Sequence, residues 1–334
     1  MIRIGQIVAV LDGSEVAASR RIATQRAESM GLSATAAGKA ALVATELATN
    51  LIKHGSGGSI LFGAVDEPRN ALIIGAFDRG RGISNIPRAM EDGYSTAGSP
   101  GTGLGAIMRN ASAHDIYTQP DRGTAVLCRI DDETSRPKLI HEPFSIAGVC
   151  IPKPTEEQAG DSWVATSGRE FTTVAIADGL GHGVLAATAS SLAVRIIADQ
   201  SDRTLEHIYQ EMHGALRPTR GAAVGIARIY HGQKRLDFVG VGNIAGTIVS
   251  DESVRRVVSQ NGIVGHEMRR VQSFSYPWPE GAVLVLASDG ISTSWNPAAH
   301  PGLMQRDPGL VASVLFRDYT RGNDDSTVVV VKAV

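Results

Sequence analysis

The chain has 334 residues and a formal net charge of −2, and it is 43% hydrophobic and 20% charged. This length favours two domains over one core, and the absence of a basic excess argues against a nucleic-acid partner. No window approaches the roughly 20 apolar residues of a membrane span, and no secretory signal pattern opens the sequence. Cys128 and Cys150 have no second Cys or His at metal-ligand spacing. We therefore expect a cytoplasmic protein without membrane contact.

The first half alternates short strands with helices. Ser14 is the expected cap of the first helix, and glycines after His54 end the second. The β-rich runs 59–65 and 71–77, joined by DEPRN, predict a hairpin. The predicted elements are a strand at 6–12, helices at 15–30 and 35–54, the hairpin, a helix from 104 to about 113, and strands at 114–118 and 123–130. Together they predict an α/β sandwich.

A polar, proline-bearing segment without periodicity, residues 133–143, is typical of a linker. It separates predicted domains at 1–132 and 144–334. The second domain has many β-branched runs with antiparallel character, which predict a β-sandwich flanked by helices. Its helices are expected at 183–199, 204–216 and 308–320. The fold class is therefore mixed α/β (α+β) in both domains.

Polar residues and glycines in the first half form a candidate nucleotide site. Glu46 and Asn50 lie one helical turn apart, so one face can hold Mg²⁺ and orient a hydroxyl for attack on phosphate. On their own, these two residues are equally consistent with a solvated polar face. Asp78 follows a predicted strand, where its carboxylate can accept a base amino group. The glycine-rich positions that would approach a flat ligand or phosphates are Gly80, Gly82, Gly101, Thr102, Gly103, Leu104 and Gly105.

In this order, E-x-x-x-N, D-x-G-x-G and G-x-G-x-G closely resemble the Bergerat-fold (GHKL) ATPases. ELATNLIKHG, DRGRGI and EDGYSTAG look more specifically like the small bacterial switch kinases of partner-switching and stressosome pathways, over nearly all of residues 1–131. The resemblance implies ATP with Mg²⁺ and a STAS-domain antagonist protein as phosphate acceptor, and such kinases often dimerise. It implies these roles: Glu46 as general base, Asn50 on Mg²⁺, Asp78 on the adenine, and Gly82 with Gly101 to Gly105 around the phosphates.

Four aspartates in the second half stand at predicted strand ends: Asp161 in AGDSW, Asp178 in IADGLGHG, Asp289 in LASDGIS and Asp324 in GNDDSTVVVV. Carboxylate oxygens suit Mg²⁺ or Mn²⁺, and two such ions can activate water for attack on a phosphoester. Each Asp-Gly alone is more often a turn. The prediction of a metal site depends on all four in this order.

These motifs resemble the SpoIIE-type branch of the metal-dependent (PPM) serine/threonine phosphatases, across about residues 143–334. The resemblance implies two Mg²⁺ or Mn²⁺ ions held by Asp161, Asp178, the carbonyl of Gly179, Asp289 and Asp324. Asp325 aligns less well with a ligand position, and Asn243 is assigned no chemistry. Eukaryotic relatives carry a proposed general-acid histidine directly after Asp-Gly. Here Leu180 takes that place, and for His182 both an acid role and a structural or solvent-facing role stay open.

The two resemblances predict a fused antagonist pair that phosphorylates and dephosphorylates Ser/Thr on a STAS-domain partner. Two alternatives remain. In the first, the ATP-binding domain is a scaffold that sequesters a partner without kinase activity. In the second, it is a degenerate sensor that controls the attached phosphatase, although intact Glu46 and Asn50 argue against degeneracy.

Overall fold

The computed structural model describes residues 1–65, 70–90, 103–132, 142–268 and 271–334. The chain divides into two compact units, the first comprising Met1–Ile140 and Gln305–Val314, the second His141–Met304 and Leu315–Val334. The change of unit after Ile140 lies inside the predicted linker, whose residues 133–141 are outside the described residues. Among the helices described, none is long and apolar enough to span a membrane.

The first unit contains an antiparallel sheet in the order β1-β2-β3-β5-β4. Its strands are β1 (Ile2–Val10), β2 (Gly58–Val65), β3 (Ala71–Phe77), β4 (Ala113–Gln119) and β5 (Gly123–Ile130). Its helices are α1 (Gly13–Ser29), α2 (Ala34–Gly55), α3 (Ile86–Ala89) and α4 (Gly103–Asn110). β2 and β3 pair antiparallel, as the predicted hairpin requires, while most of the joining segment lies outside the described residues.

Helix α2 organises the core of the first unit. Its buried positions recur every three or four residues, including Val43, Leu47 and Leu51, and they pack with the sheet in one apolar cluster. This burial places the opposite, less buried face, with Glu46 and Asn50, at the surface of the unit.

Helix α1 begins earlier than the sequence suggested. Asp12, not Ser14, is its N-cap: the Asp12 carboxylate accepts the Ser14 amide at 2.7 Å, and Glu15 accepts the Asp12 amide at 2.8 Å. This reciprocal capping box satisfies two helix-end donors, which one serine hydroxyl does not.

The second unit contains two antiparallel sheets. One, in the order β12-β11-β14-β15-β6, is built from β6 (Phe144–Ile151), β11 (Ala245–Val249), β12 (Val254–Arg256), β14 (Val283–Ala287) and β15 (Ser326–Ala333). The other, in the order β13-β10-β9-β8-β7, is built from β7 (Asp161–Ser167), β8 (Phe171–Gly179), β9 (Ala222–Tyr230), β10 (Arg235–Val241) and β13 (Phe274–Pro277).

These sheets face each other, and helices cover the second one. A Cβ on Gly148 of β6 would lie 2.4 Å from the Trp163 indole of β7, so glycine permits close stacking there. Helices α5 (Val184–Asp199) and α6 (Leu205–Leu216) pack on β8, β9 and β10, where the buried Tyr209 hydroxyl donates to two strand carbonyls. Helix α7 (Pro308–Tyr319) precedes β15. The predicted mixed α/β fold is confirmed in both parts.

Candidate active sites

Strand pairing gathers the four predicted aspartates of the second unit. Asp161 begins β7 and is paired directly with Asp178 near the end of β8. Asp289 follows β14, and Asp324 precedes its antiparallel partner β15. The turn after Asp289 is tight against the chain at Asp325: a Cβ on Gly290 would lie 1.9 Å from the Asp325 carbonyl oxygen.

Two of the carboxylates in this region are almost completely buried. Asp161 and Asp325 are each 3% exposed. The Ser288 hydroxyl donates to Asp161 Oδ2 at 2.7 Å, and the Lys153 amide donates to Asp325 Oδ1 at 2.9 Å. Within the described residues, Asp161 Oδ1 and Asp325 Oδ2 form no hydrogen bond, although the Thr327 hydroxyl lies near Asp161. Buried oxygens of this kind require an explanation, and a bound cation supplies one.

Burial, and to a smaller extent mutual repulsion, raises the pKa values of these carboxylates. Burial, reinforced by the charges of Asp161, Asp289, Asp324 and Asp325, raises the pKa of Asp178 to about 9. Burial also raises the pKa of Asp161, against the hydrogen bond from Ser288. The pKa of Asp289 is raised by burial and by Asp324. A divalent cation would offset this repulsion, so the donor set fits Mg²⁺ or Mn²⁺.

A cleft of about 550 Å³ is lined by Asp178, Asp289 and Asp324, together with Lys153 and His182. In the described part of the chain, no three His, Cys, Asp or Glu side chains are already spaced as ligands of one ion. Binding of a cation would therefore bring the carboxylates closer together and offset their mutual repulsion.

Gly179, whose carbonyl is a predicted ligand, must lack a side chain. A Cβ there would lie 2.0 Å from the Ala186 carbonyl oxygen of α5. Its amide donates to the Gly160 carbonyl at 3.2 Å, which ties the end of β8 to the start of β7. The backbone next to Asp178 is therefore held in place by packing.

Asn243 has a role that the sequence analysis did not assign. Its side-chain amide donates to Asp289 Oδ2 at 2.6 Å, and it lines the same cleft. Groups that orient a metal ligand typically change metal affinity or activity by roughly 10–100-fold when removed.

We expect Asn243→Ala to lower phosphatase kcat/KM by about 10–100-fold, because Asp289 loses the bond that orients it. Initial rates against a phosphoserine peptide, titrated with Mn²⁺, measure this loss. Gln233→Ala, an amide deletion in an exposed turn, is the control. Equal rates for the two variants would contradict the role given to Asn243.

In the first unit, the predicted general base Glu46 and the predicted Mg²⁺ ligand Asn50 lie beside the start of α4. A Cβ on Gly103 would lie 3.2 Å from Glu46 Oε2 and 3.3 Å from Asn50 Oδ1. A glycine therefore brings the N-terminal turn of this helix close to both side chains. Leu104 packs against the apolar core and Gly105 is buried, while Gly101 and Thr102 lie outside the described residues, as does the EDGYSTAG segment.

Backbone bonds orient Asp78 at the end of β3. Its Oδ1 accepts the Gly80 amide at 2.8 Å and the Thr124 amide at 3.2 Å. A Cβ on Gly55 would lie 2.6 Å from the Asp78 Cβ, so the end of α2 packs directly against this carboxylate. Gly82 has a φ of +73° and would clash with the Gln119 carbonyl if it carried a Cβ. The structure thus brings Asp78, Gly80 and the end of α2 together.

Comparisons with known proteins match both halves. Residues 169–334 match the family described as Stage II sporulation protein E (SpoIIE). The chain is 28% identical over 120 residues to "Serine/threonine-protein kinase RsbT" of Bacillus subtilis (strain 168), covering 36% of this chain and 90% of RsbT. It is 22% identical over 134 residues to "Phosphoserine phosphatase RsbX" of the same organism, covering 40% of this chain and 67% of RsbX.

Solved structures show the same fold. One described as "The bacterial stressosome: a modular system that has been adapted to control secondary messenger signaling" matches with a TM-score of 0.54 and 26% identity, over 57% of this chain and all (100%) of that one. RsbX crystallised with magnesium matches with a TM-score of 0.50 and 19% identity, over 58% of this chain and 98% of that chain. At that identity the second match shows the fold alone.

Proposed function

We propose, from the SpoIIE-type phosphatase domain at residues 169–334 and the RsbT-like N-terminal region, that this chain is a bifunctional partner-switching regulator. Its second unit removes phosphate from serine or threonine of a protein, and its first unit adds it. The shared substrate we propose is a STAS-domain partner. A phosphate adds negative charge and acceptor oxygens to such a partner and so can switch its interface.

The observation that carries the phosphatase proposal is the set of aspartates at these strand ends. Asp178, Asp289 and Asp324 line one cleft. Asp161 and Asp325 are buried, each with an unpartnered oxygen. Two Mg²⁺ or Mn²⁺ ions would supply Lewis-acid stabilisation and an activated water when bound. The residues we assign as their ligands are Asp161, Asp178, the carbonyl of Gly179, Asp289 and Asp324. Asp325, through its bond to the Lys153 amide, fixes the loop after β6 beside them.

The kinase proposal depends on Glu46, Asn50 and Asp78 in the first unit. Asn50 would hold the Mg²⁺ that accompanies ATP, and Glu46 would accept the proton of the attacking hydroxyl. Asp78, oriented by two backbone amides, would accept a hydrogen bond from the amino group of adenine. The nearby start of α4 provides backbone N–H groups for phosphate.

We expect Glu46→Gln to keep ATP binding within about threefold and to lower phosphoryl transfer by roughly 100-fold or more, because a general base contributes about 10²–10⁴ in rate. Binding is measured with a fluorescent ATP analogue and transfer with radiolabelled γ-phosphate. Glu28→Gln, on the exposed face of α1, is the matched control.

This comparison separates the proposal from the scaffold alternative. If wild type binds ATP and transfers phosphate to no STAS-domain protein, the first unit acts by binding alone. If Glu46→Gln transfers phosphate at the wild-type rate, the role of Glu46 is wrong while the kinase proposal stands.

A further inference from the structure

His182 lies in a tight turn between β8 and α5. Gly181 and Gly183 on either side have φ angles of +90° and +73°, a backbone conformation that favours glycine. The imidazole lines the same cleft as Asp178 and Asp289, and 48% of its side chain is exposed. A substrate phosphate held at the aspartates would therefore lie in the cleft that His182 borders.

Glu156, in the loop between β6 and β7, holds the His182 ring. The imidazole Nδ1 lies 2.6 Å from Glu156 Oε1. An ionised carboxylate accepts hydrogen bonds and cannot donate one. Nδ1 therefore carries a hydrogen and donates it to Glu156, and Nε2 remains available to interact with a substrate. A Cβ on Gly183 would lie 2.7 Å from Glu156 Oε2, so this glycine also makes room for the carboxylate.

We propose that His182 protonates the leaving oxygen of the phosphorylated residue and that Glu156 is its positioning residue. This inference rests on the phosphatase function proposed above. A water oxygen bonds to phosphorus, the bond from phosphorus to the side-chain oxygen breaks, and that oxygen keeps the electron pair. In its imidazolium form His182 also carries a proton on Nε2, and this proton moves to the oxygen. The proton of the attacking water passes to solvent, which reprotonates the imidazole, and the products are the free hydroxyl and inorganic phosphate.

Several charged groups surround this histidine. Glu156 contacts it directly, and an Arg220 guanidinium nitrogen would lie 2.9 Å from a Cβ on Gly181 in the same turn. The other charged groups that line the cleft are Lys153, Asp178, Asp289 and Asp324. Of these groups, Glu156 is the one bonded to the ring, so it sets the tautomer and orientation of the donor.

Substrates with different leaving groups distinguish a proton-donor role for His182 from a purely structural one. An alkoxide leaving from phosphoserine needs a proton, whereas p-nitrophenolate, a much weaker base, leaves without one. Loss of the donor should therefore slow hydrolysis of phosphoserine and largely spare that of p-nitrophenyl phosphate. Damage to the metal cluster would slow both.

The experiment compares full-length wild type, His182→Ala, Glu156→Ala and Glu156→Gln in Mn²⁺, on a phosphoserine peptide and on p-nitrophenyl phosphate. We expect His182→Ala to lower kcat on the peptide by about 10²–10³-fold with little change in KM, and kcat on the aryl ester by less than about tenfold. Glu156→Ala should lose about 10-fold or more on the peptide. Glu156→Gln, which keeps an acceptor oxygen, should lose less. The neighbouring exposed Glu157→Ala is the control.

Equal losses on the two substrates, or an unchanged rate on the peptide, would overturn the proton-donor role. Wild-type inactivity on both substrates in Mn²⁺ would overturn the phosphatase proposal itself and this inference with it. Thermal unfolding of each variant shows whether a lost rate comes from lost folding.

Discussion

Asp178→Asn is expected to abolish the phosphatase activity of the second unit. Asp178 lines the cleft and interacts with the charges of Asp161, Asp289, Asp324 and Asp325, so it lies at the centre of the proposed metal cluster. Loss of a group that merely supports a ligand costs roughly 10–100-fold, and loss of a ligand should cost more. We expect a fall in kcat/KM of at least about 10³-fold on a phosphoserine peptide, with weaker Mn²⁺ binding.

Isothermal titration with Mn²⁺ and initial rates on the peptide measure the two effects together. Asp251→Asn, in an exposed turn of the same unit, is the matched control. A variant that keeps more than about one tenth of the wild-type rate, or binds Mn²⁺ as wild type does, would remove Asp178 from the metal cluster.

Without divalent metal, the second unit is expected to lose stability as pH rises between about 4 and 9. The folded-state pKa of Asp178 is raised to about 9 from its ordinary 3.8, by burial and by four neighbouring carboxylates. Between those values the folded protein binds more protons than the unfolded chain. The unfolding free energy therefore falls with pH, by up to about 1.4 kcal/mol per pH unit for each such proton. The stability that protonated Asp178 contributes is fully present below its ordinary pKa of 3.8, and it is lost as pH rises through about 9.

The comparison is the unfolding midpoint in EDTA at several pH values from 5 to 9, for wild type and Asp178→Asn. The amide cannot ionise, so its midpoint should vary less with pH and exceed that of wild type at the alkaline end. Mn²⁺ should raise the wild-type midpoint most at high pH. If the unfolding midpoints of the two proteins change with pH in parallel, ionisation of Asp178 is not the cause of the lost stability.

Much of the fold follows from patterns within single elements. The apolar face of α2 and the alternating or continuous β-branched runs fix the element types with few errors. The short strands β12 and β13 are missed, since three or four exposed or partly exposed residues have no distinct periodicity. The cap at Asp12 is missed because Ser14, two residues later, is also a residue type that commonly caps helices. The hydrogen bonds between Asp12 and the first helical turn, including the one from the Asp12 amide to Glu15, identify the true cap.

Some site residues can also be predicted from local sequence, and others cannot. Asp161, Asp178, Asp289 and Asp324 can be found because each adjoins a turn at a strand end. The partners that hold such groups come from distant parts of the chain: Ser288 binds an aspartate 127 residues away, Asn243 one 46 residues away, and Glu156 a histidine 26 residues away. No local pattern encodes those pairings, so only the folded chain reveals them.

Phosphate transfer to a STAS-domain protein tests whether the two units act on one substrate, with radiolabelled γ-phosphate ATP, Mg²⁺ and Mn²⁺. Wild type, Asp178→Asn, Glu46→Gln and the double variant are compared over time. We expect label to accumulate with Asp178→Asn, to stay low or decay with wild type, and to form more slowly, by roughly 100-fold or more, with both Glu46→Gln proteins. Equal labelling by wild type and Asp178→Asn would contradict a shared substrate, and no labelling by any variant despite bound ATP would contradict the kinase proposal.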